Sequence, residues 1–121
     1  MKTLLVVDDD ESIRNSHQKL LKLIGFSVTG CRDGEDALSK CREELPDGIL
    51  LDLNMPHMNG QEFLEHLRKF PGGDKPKVLL CSGMFEESLR DLAARSGANG
   101  YITKPVGRAV LEQKLREVGL L

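Results

Sequence analysis

Four short runs of apolar residues each stop at a polar side chain suited to holding a metal or a phosphate. Leu4-Leu5-Val6-Val7 runs into Asp8-Asp9, Ile49-Leu50-Leu51 into Asp52, Val78-Leu79-Leu80-Cys81 into Ser82, and Tyr101-Ile102-Thr103 into Lys104-Pro105. At 4–7, 49–53 and 78–81 the chain is almost continuously apolar, as strands buried on both faces require. A fifth run, Phe26-Ser27-Val28-Thr29-Gly30, is more polar and suits a sheet edge.

Segments of helical period fill the gaps. Residues 11–24 carry Ile13, Leu20, Leu21 and Ile24 at helical spacing, and Gly25 ends the segment. Residues 35–44 turn Ala37, Leu38 and Cys41 inward, with Pro46 as the stop. Asn59-Gly60 opens a helix over 60–69 that carries Phe63, Leu64 and Leu67 and is closed by Pro71-Gly72-Gly73. A fourth helix is predicted over 86–96 and a fifth over 107–118. In the fifth, Val110, Leu111, Leu115 and Val118 are read mostly as core, with some available to a partner or dimer face.

Strand and helix thus alternate five times. Strands joined by helical crossovers must be parallel, and their connections are right-handed in nearly every case. The class is α/β, a doubly wound five-stranded parallel sheet with helices on both faces. Placing the most apolar strands centrally favours the order 2-1-3-4-5. In that order the carboxyl ends of the strands bring three carboxylates, a hydroxyl and an ammonium to the edge where open α/β sheets bind ligands.

Composition narrows the function classes. A chain of 121 residues with 40% apolar content fits one domain over 1–121 with one core, and no internal repeat or linker divides it. No apolar stretch approaches the roughly 20 residues of a membrane span, and the start has no cleavable signal pattern, so a soluble cytoplasmic protein is expected. The 19 acidic and 17 basic side chains are well mixed, which leaves no basic stripe for direct nucleic-acid binding. Cys31, Cys41 and Cys81 lack zinc or CxxC spacing and are read as buried small apolar residues. His17, His57 and His66 also lack ligand spacing and are expected on solvated faces.

The strand ends suggest a specific chemistry. Asp8, Asp9 and Asp52 converging within a few Å repel one another, which raises their pKa values unless a cation is present. Oxygen ligands of this kind suit Mg²⁺, with Mn²⁺ as an alternative. Lys104 and Ser82 would lie on the other side of Asp52 and complete a clamp for phosphoryl oxygens. Asp52, between the two halves, could attack phosphorus and form an aspartyl phosphate. Asp10 and Glu11 lie past the strand end and fit helix-start electrostatics instead, and Ser12 is a candidate local cap.

Val6-Val7-Asp8-Asp9, Leu51-Asp52-Leu53-Asn54-Met55-Pro56, Asn59-Gly60, Ser82-Gly83 and Tyr101-Ile102-Thr103-Lys104-Pro105 together resemble the signature of the two-component response-regulator receiver domain, in its single-domain, chemotaxis-regulator-like form. The resemblance covers essentially the whole chain and implies a flavodoxin-like (βα)5 fold. It makes Asp52 the phosphoacceptor, Asp9 a direct metal ligand, Asp8 a ligand directly or through water, and the Asn54 backbone carbonyl the third protein ligand. It makes Lys104 the partner of a phosphoryl oxygen, with a cis Lys104-Pro105 peptide. Ser82 would be the switch hydroxyl and Tyr101 the switch aromatic, with space beside Gly83 for the movement. The implied donor is a histidine kinase or a histidine phosphotransfer protein. The implied readout is a changed face formed by the fourth helix, fifth strand and fifth helix, acting on a downstream protein or a covalently linked output domain, as a monomer or a phosphorylation-dependent dimer.

Such a protein is not an enzyme acting on other substrates. The alternative is a small Mg²⁺-dependent phosphatase or phosphotransferase with an Asp nucleophile, which would typically need a second acid near Asp52 and a cap; Asn54 stands two residues on, and no segment is long enough for a cap. A flavodoxin-like cofactor binder is disfavoured because Asp8-Asp9-Asp10-Glu11 would repel a phosphate unless metal intervened. Met84, two residues after Ser82, should overhang the path of the hydrolytic water without being able to orient it. The chain is expected to be either a stand-alone regulator or a piece of a longer protein.

Overall fold

A computed structural model describes residues 1–55 and 58–121. The elements run β1 (Thr3–Val7), α1 (Glu11–Ile24), β2 (Ser27–Cys31), α2 (Gly34–Glu43), β3 (Gly48–Asp52), α3 (Gly60–Arg68), β4 (Lys77–Ser82), α4 (Glu86–Ser96), β5 (Gly100–Thr103) and α5 (Arg108–Glu117). All strand pairs are parallel and the order is β2-β1-β3-β4-β5, the order read from apolar content. Among the described residues, no helix is long and apolar enough to cross a membrane.

The alternation of side chains along a strand divides the core in two. Leu5, Val7, Ile49, Leu51, Val78 and Leu80 pack with residues of α2, α3 and α4, among them Ala37, Phe63, Leu67 and Leu89. Leu4, Val6, Leu50, Leu79, Cys81 and Ile102 pack on the other side with Leu21 of α1 and Leu111 and Leu115 of α5. Burying a side chain of this size contributes about 1.5–3 kcal/mol. A slip of one residue in register would exchange the two sets throughout a strand.

Three helices begin on a side-chain cap. Asp10 accepts from the Ile13 amide, Asp33 from the Asp36 amide, and Asn59 forms a capping box with Glu62. The starts of α4 and α5, at Phe85 and Gly107, have no side-chain cap bond. At the other end of α1, Gly25 adopts φ 123° and its amide donates to the Leu21 and Lys22 carbonyls, a conformation that glycine enters without a Cβ penalty. At the amino-end edge of the sheet, Arg68 donates to the carbonyls of Gly73, Pro76 and Gly97 and to Asn99 Oδ1, which also accepts from the Val78 amide at 2.8 Å.

Several expectations need correction. His17 is buried, with 7% of its surface exposed. It lies four residues from both Ile13 and Leu21 and so shares their helix face. His66 is exposed, and His57 lies outside the described residues. Val110 is 50% exposed and does not join the core beside Leu111 and Leu115. The cap of α1 is Asp10 and not Ser12, because the carboxylate precedes the first helical residue and can reach back over the free amides. The three cysteines, by contrast, are free and buried as expected, and burial pushes Cys31 and Cys81 up to about 12 and Cys41 to about 11.

Candidate functional site

The site is built at the carboxyl ends of β1, β3, β4 and β5. Asp8 follows β1, and its amide still donates to the Cys31 carbonyl at 3.1 Å. Its carboxylate is 2% exposed; Oδ1 accepts from the Asp10 amide at 3.0 Å, while its backbone carbonyl accepts from Arg14 Nη1 at 2.9 Å. Asp9, one residue on, is exposed. Asp52 ends β3 in register with Cys81 and is 5% exposed. Its Oδ1 accepts from the Asn54 amide at 3.4 Å, and the side chain of Asn54 is exposed.

These carboxylates converge. One oxygen from each of Asp8, Asp9 and Asp52 can be chosen so that all lie within 4.8 Å of one another. Lys104 Nζ lies 3.1 Å from Asp8 Oδ2 and 3.3 Å from Asp52 Oδ1. The lysine is aimed by its own backbone, whose amide donates to the Ser82 carbonyl at 2.8 Å, and the following peptide to Pro105 is cis. Ser82 is buried one residue beyond the Asp52-Cys81 pair, and its Oγ accepts from the Met84 amide at 3.2 Å. Around Gly83 nothing among the described residues lies within 4 Å of an added Cβ.

Two groups in this cluster have raised pKa values, although burial acts on them in opposite senses. Burial raises the Asp52 pKa and the Asp8 carboxylate raises it further, with Lys104 and the Asn54 amide opposing. Burial alone would lower Lys104, but its hydrogen bond to Asp8 and the charges of Asp52 and Asp8 outweigh that and raise it. A single ammonium faces two buried carboxylates, so the lysine is held charged while negative charge remains in excess. An all-oxygen donor set with uncompensated negative charge fits a hard divalent cation such as Mg²⁺.

Tyr101 stands apart from these groups. Its half-buried ring lies between α4 and α5, where the hydroxyl donates to Glu86 Oε1 at 3.0 Å and Lys114 Nζ sits 4.2 Å from the ring centroid.

Arg14, Gly60 and His17 also shape the site, in roles that their places in the sequence did not indicate. Arg14 braces the Asp8 carbonyl; a basic residue one turn past a helix cap was its only signal. Gly60 lets the loop after β3 close: its amide donates to the Leu53 carbonyl at 3.1 Å, and a Cβ there would stand 3.0 Å from the Asp52 carbonyl oxygen. His17 lines an open recess of about 400 Å³ with Ile13, Ser16, Lys104, Pro105 and Val106. Burial lowers its pKa, opposed by Asp8 and assisted by Lys104.

Comparison with known proteins agrees with this picture. Residues 4–116 match the family model of the response regulator receiver domain. The chain is 37% identical over 115 residues to "Probable transcriptional regulator ycf27" of Porphyridium aerugineum, covering 95% of the chain and 47% of that protein. The Guillardia theta protein of the same name is 34% identical over 115 residues, covering 95% and 44%. The chain thus spans about half the length of these curated relatives. Chemotaxis protein CheY4 of Vibrio cholerae superposes with a TM-score of 0.90 at 30% identity, covering 98% of each chain. A CheY-like receiver domain from Methylobacillus flagellatus gives 0.87 at 28% identity, again over 98% of each.

Proposed function

This chain belongs to the response regulator receiver domain family of two-component signalling, and from that premise we propose that Asp52 accepts a phosphoryl group from the phosphohistidine of a histidine kinase or histidine phosphotransfer protein. The observation that carries the reading is the position of the buried Asp52 carboxylate, held between the Lys104 ammonium and the carboxylates of Asp8 and Asp9. Asp8, Asp9, Asp52 and the Asn54 carbonyl would hold Mg²⁺, which supplies neutralisation of carboxylate and phosphoryl charge when bound.

A carboxylate oxygen of Asp52 forms the new bond to phosphorus as the donor's P–N bond breaks, and the electron pair of that bond stays on the departing imidazole. Lys104 then exchanges part of its contact with Asp52 and Asp8 for a phosphoryl oxygen. The Ser82 hydroxyl, one residue beyond the Asp52-Cys81 pair, can donate to another phosphoryl oxygen once it turns from the Met84 amide. Tyr101 follows into the vacated space, and the face formed by α4, β5 and α5 changes the partner it binds.

On this reading the chain is not an enzyme toward other molecules. Asn54, two residues past Asp52, offers no second acid for a phosphatase, and the mixed surface charge favours protein partners over nucleic acid. The receiver acts in the cytoplasm as a monomer or a phosphorylation-dependent dimer, on a separate target or on an output domain of a longer protein.

The direct test is intact-mass analysis after incubation with acetyl phosphate. One added phosphoryl group in the presence of Mg²⁺, lost on metal removal and in Asp52→Asn, is the expected result. A chain that gains no mass and binds no beryllofluoride does not work this way.

A further inference from the structure

Tyr101 is tied to both helices that flank its strand. Its hydroxyl donates to Glu86 Oε1 at 3.0 Å, and Glu86 is the first residue of α4. Its ring lies beneath the Lys114 ammonium of α5, 4.2 Å from the centroid, and the same ammonium is 3.8 Å from Glu117 Oε2. A cation over an aromatic face and a charge-accepted hydroxyl bond both favour the ring where it now stands.

The first turn of α4 is otherwise lightly held. Its cap position, Phe85, is 87% exposed and supplies no cap bond, and the only buried side chains of the helix are Leu89 and Ala93 farther along. Space next to Gly83 is open as well. The bond from Tyr101 therefore works in both directions. It holds the ring at the surface and gives this turn a tertiary anchor.

We propose that Glu86 and Lys114 are positioning residues that act through Tyr101, latching the ring outward and so setting how strongly the resting protein resists activation. The inference rests on Asp52 as phosphoacceptor and Tyr101 as switch residue. For the ring to turn toward Ser82, the hydroxyl must leave Glu86 and the face must leave Lys114. Contacts made in one position only bias the equilibrium toward that position, and by linkage they weaken any ligand that favours the other. Both contacts are near solvent, so each shifts the equilibrium modestly, about threefold.

The sequence supplies its own probe, because Tyr101 is the only tyrosine and there is no tryptophan. Tyrosine emission of the intact chain therefore follows this ring during a titration with beryllofluoride in excess Mg²⁺. Glu86→Ala removes the acceptor, Glu86→Gln keeps an acceptor oxygen, and Lys114→Met keeps the stem without the charge. Half-saturation should fall about threefold in Glu86→Ala and in Lys114→Met and stay near wild type in Glu86→Gln. Resting emission should change in Glu86→Ala and not in Glu86→Gln, and the fall in half-saturation is the readout that loss of fold would not reproduce. Unchanged half-saturation in both Glu86→Ala and Lys114→Met would overturn the latch while leaving Asp52 as acceptor. A wild-type protein indifferent to beryllofluoride would overturn the acceptor reading and the latch with it.

Discussion

Lys104 and Asp52 end strands that are separated by β4, yet the ammonium reaches the carboxylate at 3.3 Å. The same ammonium is 3.1 Å from Asp8, so one positive charge is shared between two buried negative ones. That imbalance fixes the sign of several measurable responses.

Without metal, ionised Asp52 should oppose folding. Its folded pKa lies above the ordinary 3.8 because of burial and Asp8. Between those two values the folded state binds more protons than the unfolded one, so stability falls as pH rises through the window and stays lowered above it. Asp52→Asn should therefore melt higher than wild type at neutral pH in EDTA, by about 3 °C or more. The gap should close on acidification toward the ordinary carboxylate value, and thermal melts across pH check both statements.

Mg²⁺ should reverse the order. A cation that binds only the folded state adds about 1.4 kcal/mol for each tenfold excess over its dissociation constant. The wild-type melting temperature should climb with Mg²⁺ at constant ionic strength. Asp9→Asn, which removes the one exposed carboxylate of the cluster, should flatten that climb.

Met84 is 37% exposed just beyond the buried Ser82. Glutamate there could orient a water that methionine cannot, so Met84→Glu should lose its phosphoryl group several times faster, a shortening of roughly tenfold at most. The decay of the phosphorylated mass after removal of donor reads this, and equal lifetimes would dispose of the idea.

Gly60 packs against the backbone of Asp52, the proposed acceptor. In Gly60→Ala the new methyl would meet the Asp52 carbonyl oxygen at 3.0 Å and Leu53 Cα at 3.1 Å, neither of which is a flexible side-chain tip. Displacing that loop should cost about 1–3 kcal/mol and slow phosphoryl uptake. Denaturant unfolding and the acetyl phosphate time course measure the two effects separately.

Arg68 offers the opposite case, a stability residue remote from the chemistry. Arg68→Met takes the guanidinium donor from three carbonyls at the amino-end edge and leaves Asn99 Oδ1 with the Val78 amide alone, for an expected loss of about 1–3 kcal/mol. Phosphoryl uptake by the folded fraction should match wild type.

The sheet was legible in the sequence because its signals are local. Leu4 to Val7, Ile49 to Leu51 and Val78 to Cys81 are buried on both faces and therefore uninterrupted, and each ends at a polar residue that the loop must accommodate. Helix limits followed from Gly25, Pro46 and Asn59, residues whose backbone preferences act within a turn. What escaped depends on tertiary placement. His17 reads as polar, yet the helix face it shares with Ile13 and Leu21 is turned inward. Val110 reads as apolar, yet α5 offers the sheet only the stripe that contains Leu111 and Leu115. Arg68, Glu86 and Lys114 resemble ordinary surface charges until the elements they reach are folded beside them.

The uneven capping of the helices bears on how this protein could be improved. An engineer asked to raise its melting point would turn first to Phe85, since a serine, threonine, aspartate or asparagine at such a start is worth roughly 0.5–2 kcal/mol over an apolar residue. That repair would fall on the turn that carries Glu86. Durability gained there would come at the expense of responsiveness, and the safer ground for hardening this fold is the far edge around Arg68.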